Sequence, residues 1–256
     1  MSQTQSNKSS FFVKRPILFV IIVEVLLLFV VTVGGAIATI KELDYTSAIW
    51  VSFTPIALAL IIYLTWTKKW GSVGFRSLST IPKRNWLYYF PLILVLIIIG
   101  IEGFDGVTLS KVIQFVSFTL LVGFVEETVY RGLILKAMLN KSVTAAVVTS
   151  SLLFAFTHVL NLISGQDAAS TAVQIVYSLL VGAVLALLMV RDGNILPLIL
   201  FHFLHNLIQF LGIESTGVNY FDLIALAVLA IYTVILIMSL KKKQNVIPKL
   251  EIKQQG

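Results

Sequence analysis

The chain of 256 residues contains no cysteine and few charged residues. Without cysteine it can have no disulfide framework, thiolate metal site, iron–sulfur cluster or cysteine nucleophile. Charged residues make up 12% of the chain, about half the usual share of a soluble domain. That share is too small to cover a water-facing surface, and the 58% of hydrophobic residues excludes a disordered chain. The composition therefore predicts a polytopic membrane protein.

Apolar runs of the right length recur along the chain, given that a helix crosses the hydrocarbon core of a membrane in roughly 20 residues. The runs are 16–40, 46–66, 86–101, 112–135, 143–163, 171–190, 195–212 and 222–240. They predict an all-α, polytopic membrane helix bundle of about eight transmembrane helices. In this interpretation residues 1–15 are a cytoplasmic tail, 16–240 form a single transmembrane domain, and 241–256 are a basic cytoplasmic tail.

The basic residues support this count because they are concentrated in alternate loops. If the N-terminus is cytoplasmic, 17 of the 19 Lys and Arg residues fall on the cytoplasmic side, and only Lys41 and Lys111 do not. We therefore predict a multi-pass protein of the cell membrane with both termini in the cytoplasm. The first run is longer than a signal-peptide core, which favours a retained span. Basic residues at the membrane edges explain the net charge of +7, so no nucleic-acid partner is predicted.

Ionisable side chains inside the apolar runs are the candidates for function, because each costs roughly 2.5–3.5 kcal/mol at the centre of a membrane helix. These residues, with one neutral amide among them, are Glu24, Glu126, Glu127, Arg131, His158, His202, His205 and Asn206.

The fourth run places a pair of glutamates beside an arginine. Glu127 and Arg131 are four residues apart, so we expect them to share a helix face and form an ion pair. Glu126 points about 100° away around the helix and is free to face a cavity. The alternative is that the three charges only mark the cytoplasmic end of the span.

The histidines lie in two later runs. His202 and Asn206 are four apart and share a face, whereas His205 either flanks that face or turns away. A carboxylate and an imidazole together can activate water, and His and Asn can donate hydrogen bonds to an oxyanion. The alternatives are a buried core histidine at 158 and hydrogen bonds between helices at 202–206. Counted along the spans, Glu126 and His158 differ in depth by about 12 Å, which helix tilt can absorb.

Three motifs on three apolar runs resemble those of the CAAX protease and bacteriocin-processing family of intramembrane proteases, also called the Abi family. The eukaryotic CAAX prenyl endopeptidase is a relative. The resemblance covers roughly residues 110–210, the core of the family. In chain order the motifs are Glu126-Glu127-x-x-x-Arg131, Phe154-x-x-x-His158 and His202-x-x-x-Asn206.

The resemblance implies an intramembrane endopeptidase that cleaves a membrane-associated substrate, either of CAAX type or similar to a bacteriocin or pheromone. It implies four catalytic residues, Glu126 and His158 to activate water and His202 and Asn206 to stabilise the oxyanion. Glu127 and Arg131 would be supporting residues. Both a glutamate-dependent and a metal-dependent mechanism are open for this family. In the second, Glu126, His158 and His202 would hold zinc with a water in the open position.

Two other functions are compatible with the same residues. A non-catalytic bacteriocin-immunity or membrane binding protein could keep the family's core without its chemistry. A transporter or proton relay also uses buried Glu, His and Arg, although the polar residues cluster here in three runs and the chain lacks internal pseudo-symmetry. The sequence does not indicate the substrate or the oligomeric state.

Overall fold

The computed structural model describes residues 14–163, 165–213 and 220–254, with the side chains of Tyr45 and of residues from 243 onward left out. The predicted all-α fold is confirmed, because the regular elements of these residues are all helices. The β-structure of these residues is one isolated antiparallel bridge between Phe104 and Gly212. The α-helices are α1 Pro16–Ile40, α2 Tyr45–Trp66, α3 Trp70–Val73, α4 Phe90–Gly100, α5 Leu109–Glu127, α6 Lys136–Met138, α7 Val143–Thr157, α8 Val159–Ile163, α9 Ala168–Asp192, α10 Leu196–Leu211 and α11 Tyr220–Gln254. A π-helix, π1, covers Thr128–Leu135, and 3₁₀ turns cover Leu78–Thr80 and Lys83–Tyr89.

Helix ends follow local sequence signals. Asp44 caps α2 and accepts hydrogen bonds from the Thr46 hydroxyl at 2.6 Å and from the Ser47 amide at 3.0 Å. These hydrogen bonds hold the pKa of Asp44 well below its ordinary value, and the one from the Thr46 hydroxyl has the largest effect. Asp167 caps α9 in the same way, through the Ser170 amide at 2.9 Å, and hydrogen bonds from the side chain and then the amide of Ser170 lower the pKa of Asp167. Both aspartates are typical N-caps that satisfy free amides at helix starts.

Seven helical segments of the described chain are long and apolar enough to cross a membrane. They are Pro16–Ile40, Thr46–Trp66, Lys83–Gly100, Leu109–Met138, Val143–Ile163, Ala168–Asp192 and Tyr220–Lys242. The seventh predicted run forms Leu196–Leu211, which has only 16 residues and falls short of that length. A polytopic membrane helix bundle is thereby confirmed, while the crossing of α10 stays a prediction.

Two helices depart from the predicted spans. The fifth run is interrupted, since α7 ends at Thr157 and α8 begins at Val159, with His158 in the turn between them. At the other end of the chain the backbone of α11 continues to Gln254, through most of the segment predicted as a basic tail. The predicted N-terminal tail lies outside the described residues up to position 13.

The burial pattern is that of a protein embedded in lipid. On α1, Phe29 is 64% exposed whereas Glu24 is only 6% exposed. Polar groups therefore face the inside of the bundle, and large apolar side chains face outward to a surrounding that cannot be water. Helix α5 packs along α10, α7 along α9, and α1 along α2. The three predicted motifs thus lie on neighbouring elements.

Candidate active site

The two glutamates of the first motif lie at the end of α5, just before the π-helix. In a π-helix the backbone turn is widened, and such turns occur frequently at functional sites. Glu127 is fully buried, while the side chain of Glu126 retains 14% of its exposure. The two neighbouring carboxylates therefore have different surroundings, as the sequence predicted.

Arg131 forms the predicted ion pair with Glu127. Its Nη1 donates to Glu127 Oε1 at 2.9 Å, and both side chains are fully buried. Its Nη2 donates to the carbonyl oxygen of Gly182 on α9 at 3.3 Å, and the guanidinium carbon lies 4.4 Å from the centre of the Phe154 ring. One cation thus links π1 to α7 and α9 and neutralises the more deeply buried carboxylate.

His202 lies between the two glutamates. Its Nδ1 is 2.9 Å from Glu127 Oε1, and its Nε2 is 3.4 Å from Glu126 Oε2. The Glu127 carboxylate is paired with Arg131 and can only accept hydrogen bonds, so the Nδ1–H of His202 donates to it. The other ring nitrogen is thereby directed to Glu126. These direct contacts join the first and third motifs.

His158 occupies the turn at which α7 ends. Its Nδ1 lies 3.0 Å from the main-chain oxygen of Phe154. A carbonyl oxygen can only accept, so Nδ1 carries the proton and a neutral ring keeps its lone pair on Nε2. Phe154 also packs edge-on against the rings of His158 and His202, with ring centres 5.3 and 5.7 Å away. The second motif thus fixes one imidazole and contacts the other.

The four predicted catalytic side chains line one cavity of about 190 Å³. They are Glu126, His158, His202 and Asn206. The predicted difference in depth between Glu126 and His158 therefore does not separate them. The opposite wall is apolar and comes from α1 and α2, which contribute Leu27, Val31 and Phe53 among others.

A second cavity, of about 390 Å³, adjoins the first at His158, His202 and Asn206 and extends between α9, α10 and α11. There the Nε2 of His205 lies 2.9 Å from the Tyr177 hydroxyl, and its Nδ1 lies 3.2 Å from Asn206 Oδ1. Sequence reasoning missed Tyr177. The feature of the sequence that could have indicated it is a tyrosine hydroxyl inside an apolar run, since a buried tyrosine usually has a hydrogen-bond partner.

The zinc site that the resemblance implies, at Glu126, His158 and His202, stays a prediction. Among residues 14–163, 165–213 and 220–254, no three His, Cys, Asp or Glu side chains are clustered so that they could hold an ion. His202 instead uses Nδ1 for Glu127, and Nδ1 of His158 is bonded to the main chain.

The fold and this cluster define a membrane helix bundle with Glu, His and Asn side chains around one internal cavity. Residues 108–208, which are 101 of the 256 residues, match the model of the Rce1-like type II CAAX prenyl endopeptidases. The match covers the segment in which the three motifs lie, so the resemblance inferred from them is confirmed. At the level of the family, the match indicates an intramembrane protease. No curated protein and no solved structure matches the chain.

Proposed function

We propose that the protein is an intramembrane endopeptidase that hydrolyses a peptide bond of a membrane-associated substrate, with Glu126 as the general base. The observation that carries the proposal is the 3.4 Å approach of Glu126 Oε2 to His202 Nε2 in a cavity that His158 and Asn206 also line. A carboxylate beside imidazoles in a pocket shielded from bulk water is suited to activating a water molecule.

In the proposed reaction, a water held by Glu126 and by the lone pair of His158 Nε2 attacks the scissile carbonyl carbon, and its proton passes to Glu126. The oxyanion that forms accepts hydrogen bonds from the NH₂ group of Asn206 and from the Nε2–H of His202, whose ring carries a proton on both nitrogens because its Nδ1–H already donates to Glu127. When the C–N bond breaks, Glu126 returns the proton to the leaving amine. Glu127 and Arg131 hold His202 in place through the 2.9 Å contact of its Nδ1. Each proton taken up is released, so the site is restored.

The walls of the cavity favour a substrate that is apolar next to the scissile bond. The side chains that α1 and α2 contribute to the cavity are all apolar, so this wall offers no partner for a charged peptide segment. A lipid-modified CAAX sequence and the hydrophobic segment of a bacteriocin-like precursor both meet this requirement. The family match favours the former.

The test is cleavage by the purified full chain in liposomes. Two internally quenched probes are used, a peptide ending in a farnesylated CAAX sequence and a hydrophobic peptide without a lipid. We expect the protein to cleave the first, and Glu126→Gln to lower kcat by about 10²–10⁴-fold because the general base is lost. Glu42→Gln, which changes an exposed carboxylate in the loop after α1, is the matched control and should cleave normally.

Cleavage by Glu126→Gln at the rate of the unmodified protein would overturn the mechanism. If the unmodified protein cleaves neither probe, the proposal of a peptidase fails in favour of a non-catalytic immunity or membrane binding protein.

A further inference from the structure

The orientation of the Asn206 amide is set by a neighbouring residue outside the three motifs. Asn206 can serve an oxyanion only through its NH₂ group, because its oxygen is an acceptor. That oxygen, Oδ1, lies 3.2 Å from Nδ1 of His205. The contact therefore occupies the half of the amide that cannot stabilise an anion.

The hydrogen bonds also define the tautomer of His205. Since Asn206 Oδ1 can only accept, Nδ1 of His205 donates, and a neutral imidazole then has its lone pair on Nε2. The Tyr177 hydroxyl lies 2.9 Å from this Nε2 and is the donor. The hydrogen bonds thus run in one direction, from Tyr177 to His205 and from His205 to Asn206.

The plane of the His205 ring is fixed by aromatic contacts. It stacks on Tyr177, with ring centres 5.3 Å apart and planes 29° from parallel. Phe201 lies on α10 one turn before it, with ring centres 5.8 Å apart. A ring held on these sides cannot turn freely, so the direction of its Nδ1–H bond is preserved.

We propose that Tyr177 and His205 are positioning residues that direct the NH₂ group of Asn206 into the catalytic cavity. This inference rests on the proposed function, because it explains why Asn206 directs its N–H donors toward the reacting carbonyl. His205 is placed between the two partners and acts through Asn206 without contacting the substrate.

Three substitutions test the chain of hydrogen bonds with the farnesylated probe. His205→Phe keeps an aromatic ring against Tyr177 but removes both hydrogen bonds, and we expect kcat to fall about tenfold with KM little changed. His205→Asn places an amide N–H near the position of Nδ1 and should recover most of that loss. Tyr177→Phe should lower kcat less, since His205 can still donate. Tyr220→Phe, at a residue 66% exposed, is the matched control.

A double-mutant cycle separates positioning from a loss of folding. In an Asn206→Ala background, His205→Phe should cause no further fall in kcat, because the amide that it positions is gone. Melting temperatures measured in one detergent show whether each variant is folded. The inference is overturned if His205→Phe keeps the unmodified kcat, or if its effect adds in full to that of Asn206→Ala.

The outcomes distinguish this inference from the proposed function. If the unmodified protein does not cleave, the proposed function itself is wrong, and if Glu126→Gln and Asn206→Ala both retain activity, the proposed mechanism is wrong. If those two lose activity while His205→Phe does not, only the positioning role fails.

Discussion

At the scale of single residues, the least replaceable polar contact is the ion pair of Arg131 with Glu127. Both side chains are fully buried, so each charge depends on the other for the solvation that it lost. Such a pair adds little over two apolar residues of similar size, but removing one partner leaves an uncompensated charge in the interior. The pair therefore makes the fold sensitive to single substitutions.

Arg131→Met should destabilise the protein strongly, by about 3–5 kcal/mol, because it leaves the buried Glu127 carboxylate without its guanidinium partner. Thermal melting in detergent measures the effect as a lower melting temperature. The double variant Arg131→Met with Glu127→Gln should melt higher than Arg131→Met alone, since the unpaired charge is then removed. Arg76→Met, in the loop after α3, is the matched control. A double variant that melts below the single one contradicts the argument.

The sequence predicted a contact within one helix of this site but not the contacts between helices. The spacing of Glu127 and Arg131 is local, so helical geometry was sufficient to pair them. The hydrogen bond between His202 and Glu127 joins residues 75 positions apart and depends on how α5 packs against α10. Spacing along one helix carries no information about such a contact.

Glu24 shows the limit of the same reasoning. The free-energy cost of a carboxyl group in the hydrocarbon made it a candidate for function. In the structure it is buried on α1, which packs against π1. Within the described residues neither of its carboxyl oxygens has a hydrogen-bond partner. Burial alone assigns it no place in the reaction.

At the scale of elements, close packing of α1 against α2 shapes one wall of the cavity that Glu126 lines. Gly34 allows this approach, since a methyl group at its Cα would come within 2.7 Å of the Ser52 Cα. The neighbouring Gly35 has open space around the same position. Small residues at such crossings are typical of membrane helix pairs.

Gly34→Ala should push α1 away from α2, lower the melting temperature by an amount that corresponds to about 1–3 kcal/mol, and reduce cleavage of the farnesylated probe. Gly35→Ala is the matched control on the same helix and should leave both properties close to those of the unmodified protein. Equal behaviour of the two variants would show that the contact with Ser52 does not define the wall.

Element boundaries near the site were the part that periodicity could not predict. The apolar pattern continues through His158, so the run 143–163 was interpreted as one helix, whereas α7 ends at Thr157. The His158 imidazole bonds to the main-chain oxygen of Phe154, which an interrupted helix leaves available. Similarly, no residue type in the segment Thr128–Leu135 predicts that it forms a π-helix. Both irregular turns lie beside proposed catalytic groups, where local rules are expected to fail.

At the scale of the whole molecule, the number of membrane crossings depends on α10. Its 16 residues extend about 24 Å, less than the hydrocarbon core of about 30 Å. If α10 crosses with its flanking residues, there are eight crossings and both termini lie on one side. If it does not, seven crossings place them on opposite sides. The distribution of Lys and Arg favours eight.

The absence of cysteine makes this topology directly measurable, because any single introduced cysteine is the only thiol. We expect a membrane-impermeant maleimide to label Asp105→Cys and Ser215→Cys in intact cells, since eight crossings place these loops outside. It should label Ser79→Cys and Gln244→Cys only after the cells are opened. Each variant is also labelled in detergent, which controls for thiols that are simply buried. Labelling of Gln244→Cys in intact cells, without labelling of Ser215→Cys, would mean that α10 does not cross and that the orientation assigned to the C-terminus is wrong.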